Sequence, residues 1–98
     1  MKVLKEPTKD QVGYALGSDD MNFILYSLSI AKSGKQEGEI RRTPIGYFST
    51  VKACLERVKF MEVISSDLND LEALDKRVQA TIDACIKNLG DLNFIHKH

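Results

Sequence analysis

The chain has 98 residues, 14 basic and 14 acidic side chains, 43% hydrophobic residues and no Trp. That length fits one domain. The composition is too apolar for a disordered polyelectrolyte and too charged for a membrane protein, no 18-residue apolar run offers a transmembrane helix, and two cysteines do not make a disulfide framework.

The first seven residues, Met1 to Pro7, contain no apolar run of signal-peptide length. Residues 1–20 are punctuated by Pro7, Gly13, Gly17 and Ser18-Asp19-Asp20, which predicts an extended arm in which Val12, Tyr14 and Leu16 can form a short strand. Residues 22–31 are the best strand of the chain. Ile24, Tyr26, Leu28 and Ile30 share one face at period two, and Phe23, Leu25, Ser27, Ser29 and Ala31 share the other. One face against a core and one partly solvated is the antiparallel pattern. A polar loop with Gly34 and Gly38 follows, then a returning strand from Ile40 to Phe48, where Pro44 implies an edge position or a bulge.

At Ser49-Thr50 the period changes. Either hydroxyl can cap a helix over about 50–64, whose stripe is Val51, Cys54, Leu55, Val58 and Met61, broken only by Glu62. A break at residues 65–69 precedes a second helix capped by Asp70. Its stripe is Leu71, Leu74, Val78, Ile82, Cys85 and Leu89, with Ile86 beside it and Gly90 as its stop. Leu92, Phe94 and Ile95 suit a tail that docks back. The expected fold is α+β: an antiparallel β-hairpin, extended to three strands where the arm joins, packed against two antiparallel helices. The arm is 1–20, the domain 21–95 and the tail 96–98.

The chemistry available is sparse. Both imidazoles, His96 and His98, stand in the last three residues, where a base is poorly held within reach of a target, and no Cys or His nearby completes a zinc ligand set. Cys54 and Cys85 sit on apolar stripes, where burial keeps a thiol inert. Gly34 and Gly38 do not match a phosphate loop, because a strand and not a helix follows. No catalytic residue, metal or cofactor is therefore assigned, and an enzyme is not expected. Charge is distributed unevenly: Lys32, Lys35, Arg41 and Arg42 outnumber Glu37 and Glu39 around the loop, whereas Asp67, Asp70, Glu72, Asp75, Asp83 and Asp91 outnumber Lys76, Arg77 and Lys87 along the second helix. A basic hairpin can contact nucleic acid, but adjacent Arg41 and Arg42 point to opposite faces of a strand, and edge charge also guards against aggregation. Candidate partner-binding residues are Lys35, Arg41 and Arg42 on the hairpin, and Asp75, Asp83 and Asp91 on the acidic side. Apolar residues on both faces of the strand at 22–31 exceed what one core uses, which raises homodimerisation or partner docking, and a free sheet edge offers strand addition.

The run from Pro44 to Leu55, P-I-G-Y-F-S-T-V-K-A-C-L, resembles a segment of small uncharacterised phage and prophage proteins that reads K-P-I-G-Y-Y-S-T-L-E-x-A-L. Phe23-Ile24-Leu25, the Gly34-to-Glu39 loop and Asp70-Leu71-Glu72-Ala73-Leu74 follow the same order as in those proteins, so the resemblance spans about residues 22–89. It departs at Val51 and Lys52, where Leu-Glu is usual. The resemblance implies a small accessory protein acting in the cytoplasm of a bacterial host cell. Its expected partner is a host protein or ribonucleoprotein, and an inhibitor of a defence system, such as an anti-CRISPR protein, is the concrete form. The alternative is a small DNA- or RNA-binding factor that uses the basic hairpin.

Overall fold

Four strands pair in chain order into one antiparallel sheet, β1-β2-β3-β4, and two helices cover one of its faces. The computed structural model describes residues 1–32, 34, 37–66 and 69–90. The strands are β1 (Lys2–Lys5), β2 (Gly13–Ser18), β3 (Phe23–Ile30) and β4 (Ile40–Phe48), followed by α1 (Val51–Ser65) and α2 (Leu71–Leu89). Thr50 caps α1 by accepting from the Ala53 amide at 3.1 Å, and Asp70 caps α2 by accepting from the Glu72 amide at 3.0 Å. Each cap satisfies one of the amides that a helix start leaves open. Gly90 ends α2 with φ +65°, a left-handed conformation that glycine adopts without steric cost.

The hairpin of β3 and β4 forms as the period-two pattern predicts. Pro44 sits on the edge strand β4, and the ladder slips beside it, pairing Leu25 with Gly46 but Tyr26 with Pro44. Both readings of that proline, edge and bulge, therefore hold together.

Residues 1–20 are not an arm. β1 and β2 are half of the sheet, and Leu4, Tyr14 and Leu16 are fully buried in the core. The punctuation that suggested a loose segment belongs to the turns between strands. Gly13 illustrates the packing: a Cβ there would overlap the Lys5 carbonyl oxygen and the backbone at Pro7, so the β1–β2 loop closes only over a glycine. The domain thus begins at its first strand rather than at residue 21.

The core faces the row of β3 opposite to the one with the longer apolar run. Leu25, with Phe23 beside it, packs on Leu4, Tyr14 and Leu16 below and on Val51, Cys54, Val58, Val78, Ile82, Cys85 and Leu89 of the helices. Ile24, Tyr26, Leu28 and Ile30 lie on the outer face. Leu71 also departs from its expected stripe and is 81% exposed at the first residue of α2, while Thr81 takes a buried place in that helix. The expected docking of Leu92, Phe94 and Ile95, and the tail at 96–98, lie outside the described residues.

Burying a side chain such as Leu4 or Leu16 contributes about 1.5–3 kcal/mol. Leu4→Ala and Leu16→Ala are each expected to lose about 2–5 kcal/mol in urea unfolding, because the vacated space adds to the lost transfer term. Val12→Ala, between the strands, should stay within about 0.5 kcal/mol. Small losses at all three positions would return this segment to a loose arm.

Candidate functional site

Two features stand out: an uncovered sheet face and a cluster of charges buried beneath the helices. The register defines the outer face row by row. Val3, Ala15, Tyr26 and Pro44 form one row, Gly17, Ile24 and Tyr47 a second, Gly13, Leu28 and Arg42 a third, and Ile30 with Ile40 a fourth. The centre is closed by the face's own side chains, since Ala15 is inaccessible and Leu28 only 5% exposed. The Arg42 guanidinium lies 5.0 Å from the centre of the Tyr26 ring and donates to the Met1 sulfur at 3.7 Å. Tyr26 in turn lies over Gly17, where a Cβ would come 3.1 Å from the ring. The periphery is open: Ile40 is 56% and Tyr47 62% exposed. Among the described residues of these rows, Arg42 carries the only charge.

The buried cluster gathers around Glu62 of α1, which is 2% exposed. Its Oε1 accepts from Thr81 Oγ1 at 2.6 Å and lies 3.5 Å from Lys5 Nζ, and its Oε2 lies 3.9 Å from Arg77 Nη2. The Tyr14 phenol is close enough to feel the same carboxylate; burial first, and then the Glu62 charge, push its pKa well above the ordinary tyrosine value. A β-bulge places the lysine. The β1 ladder pairs Val3 with Ala15 but Lys5 with Tyr14, so Leu4 is the extra residue and Lys5 turns to the helix side. The Leu4 carbonyl accepts from Asn88 Nδ2 at 2.8 Å. Lys5 also donates to Gln11 Oε1 at 3.0 Å, at the mouth of a cleft of about 380 Å³ that Arg77, Ala80 and Thr81 help to line. Arg77 is the loosest member, with a buried Nε that has no hydrogen-bond partner.

The sequence flagged this cluster only faintly, through the single break in the α1 stripe at Glu62. Its partners Lys5 and Tyr14 come from the segment read as an arm, so their convergence could not be read from spacing.

The predicted partner residues are scattered. Arg41 and Arg42 are exposed on β4 opposite Ser29 and Leu28, hence on alternate faces. Asp75 and Asp83 are exposed on α2, where Asp83 accepts from Gln79 Nε2 at 2.9 Å. Lys35 and Asp91 lie outside the described residues. The described members of the basic and acidic sets thus occupy different layers of the molecule. Another cleft, of about 450 Å³, lies between the β2–β3 turn and the start of α1. The Asp19 carboxylate there is committed to the turn, accepting from the Met21 and Asn22 amides at 2.8 and 2.7 Å. No group of three or more His, Cys, Asp or Glu among the described residues is placed to hold a metal ion, and no helix among them is long and apolar enough to cross a membrane.

Cys54 and Cys85 are both inaccessible, and burial pushes each thiol from an ordinary 9.0 up to about 11. A thiol that stays protonated when folded but ionises when unfolded favours folding below pH 9, and that advantage is lost as pH climbs toward 11. The urea midpoint is therefore expected to fall across this window, and to fall less in the Cys54→Ala, Cys85→Ala double variant.

Glu62→Ala should cost about 3–5 kcal/mol in the same assay, because it strands buried cations. The triple variant Lys5→Met, Glu62→Leu, Arg77→Met removes the charges together and should recover most of that loss. A mild Glu62→Ala effect would mean that water reaches the cluster. Compared with protein-family models, curated proteins and solved structures, the chain matches none.

Proposed function

We propose that the chain is a non-enzymatic accessory protein of a phage or other mobile element. It binds a host protein or ribonucleoprotein in the bacterial cytoplasm, and inhibition of a defence system, as by an anti-CRISPR protein, is the concrete form. The observation that carries a protein-binding reading is the second apolar side of α1. Val51, Cys54 and Val58 face the core, yet Phe60, Val63 and Ile64 are 49%, 47% and 58% exposed. Their i, i+3, i+4 spacing puts them on one side of the helix. An exposed apolar cluster rimmed by charge is the usual composition of a protein contact. Arg57, 5.0 Å over the Phe60 ring, provides charge at the rim. The inert thiols and the turn-locked Asp19 support a chain without catalytic chemistry, and the likeness of the 44–55 junction to phage proteins supports the context.

The test is affinity capture from bacterial lysate, with identification by mass spectrometry and then binding to the purified candidate. One host protein is expected to bind, and Phe60→Asp or Ile64→Asp should weaken it by at least about 30-fold, the effect of a hot spot worth about 2 kcal/mol, without shifting the urea midpoint by much. Turnover of a nucleotide or nucleic acid at an enzymatic rate would overturn the reading. A second reading, a DNA- or RNA-binding factor, draws on Arg42 over Tyr26 and on the exposed Tyr47, since single strands stack on aromatic side chains beside cations. Phosphate contacts predict a gel shift at low salt that collapses as salt rises.

A further inference from the structure

We infer that the outer face of the sheet is a self-association surface, on which a second copy of this chain docks sheet to sheet about a two-fold axis. This inference is independent of the host-binding reading, which uses the far side of α1.

Every row of the face holds apolar residues, with Arg42 its one charge among the described residues, and the helices lie on the opposite side of the sheet. A sheet whose two faces are both apolar buries one against its own helices and needs a further layer for the other. The charge pattern selects the occupant. Extended phosphate binding needs an array of free cations, and among its described residues this face offers Arg42 alone, already engaged by Tyr26 and the Met1 sulfur, which makes the nucleic-acid reading the weaker one. A strongly acidic or basic protein would need several opposing charges, which the described rows do not hold. A copy of the same face needs only apolar surface, which an isologous contact supplies from both sides. With a formal net charge of +0, two copies also approach without long-range repulsion.

Area agrees. Strands of four, six, eight and nine residues, at about 3.3 Å per residue and about 4.8 Å apart, give a face of about 430 Å² in plan. Side-chain relief raises its accessible area toward the about 800 Å² that each partner in a standard interface buries. Sheets packed in this way sit about 10 Å apart, and the closed centre at Ala15 and Leu28 leaves Tyr47, Ile40 and Val3 at the periphery to interlock with the other copy.

Sedimentation equilibrium on the full chain, from low to high micromolar concentration, tests the inference. The wild type is expected to run as a dimer. The Ile40→Glu, Tyr47→Glu variant should dissociate at least about 30-fold more readily, with unchanged circular dichroism and urea unfolding at low concentration. Val3→Glu, on the opposite edge of the face, should act in the same direction and covers the case in which the double variant misfolds. Phe60→Glu should leave the dimer intact. A wild type that stays monomeric overturns the inference, as does a dimer that resists both face variants or one that Phe60→Glu disrupts. Loss of host capture in Phe60→Asp with the dimer intact separates the two surfaces.

Discussion

A carboxylate buried at 2% exposure between two helices must be compensated, and the way Glu62 is compensated determines much of this fold. An isolated buried charge costs several kcal/mol even after relaxation. Its neighbours come from three elements distant in sequence: Lys5 from β1, Tyr14 from β2, and Arg77 and Thr81 from α2. The cluster therefore ties the first strands to both helices at one point. It also demands the irregularity in β1, since a regular strand would turn Lys5 away from the helices. The bulge at Leu4 brings it back, and Asn88 takes up the carbonyl at the bulge. Buried ion clusters are weak stabilisers compared with apolar packing, and this one links β1 to both helices through Lys5, Glu62 and Arg77.

Once α2 is held over β1, and α1 lies toward β3 and β4, the helices commit to one face of the sheet. Two apolar surfaces then remain, one on the outer sheet face and one on the far side of α1. They point in different directions, so two contacts can coexist on one small molecule. Neither is strongly charged: Arg42 is the one charge among the described residues of the outer face, and Arg57 lies over Phe60 on α1.

What was legible in the sequence were the local signals with a mechanism. Thr50 and Asp70 cap their helices, Gly90 stops the second, and Pro44 marks both an edge and a bulge. Each depends on a few adjacent residues, so spacing suffices. The failures are non-local. The β3 rows were readable as two faces, but the longer apolar row, Ile24 to Ile30, turned out to be the outer one. Which row meets the helices depends on β1 and β2, whose own period was obscured by Gly13, Gly17 and the slip at Leu4. Leu71 continues the α2 period on paper past the point where a partner surface ends. Glu62 was visible as a break in a stripe, yet its meaning depended on residues 5, 14, 77 and 81 arriving together.

The edges and the faces of this sheet are treated oppositely, and that contrast bears on how the molecule can associate. β4 carries Pro44, which cannot donate to an added strand, and a ladder slip beside it. β1 is four residues long and slips as well. Short, bulged or proline-bearing edges resist strand addition, so the free-edge route suggested by an open hairpin is obstructed at both ends of the sheet. The outer face has no comparable obstruction: the one cation among its described residues, Arg42, is folded onto Tyr26. A sequence selected only to stay monomeric would gain as much from a projecting lysine on that face as from the proline on the edge. The protection stops at the edges, and the association that this surface permits is therefore face to face.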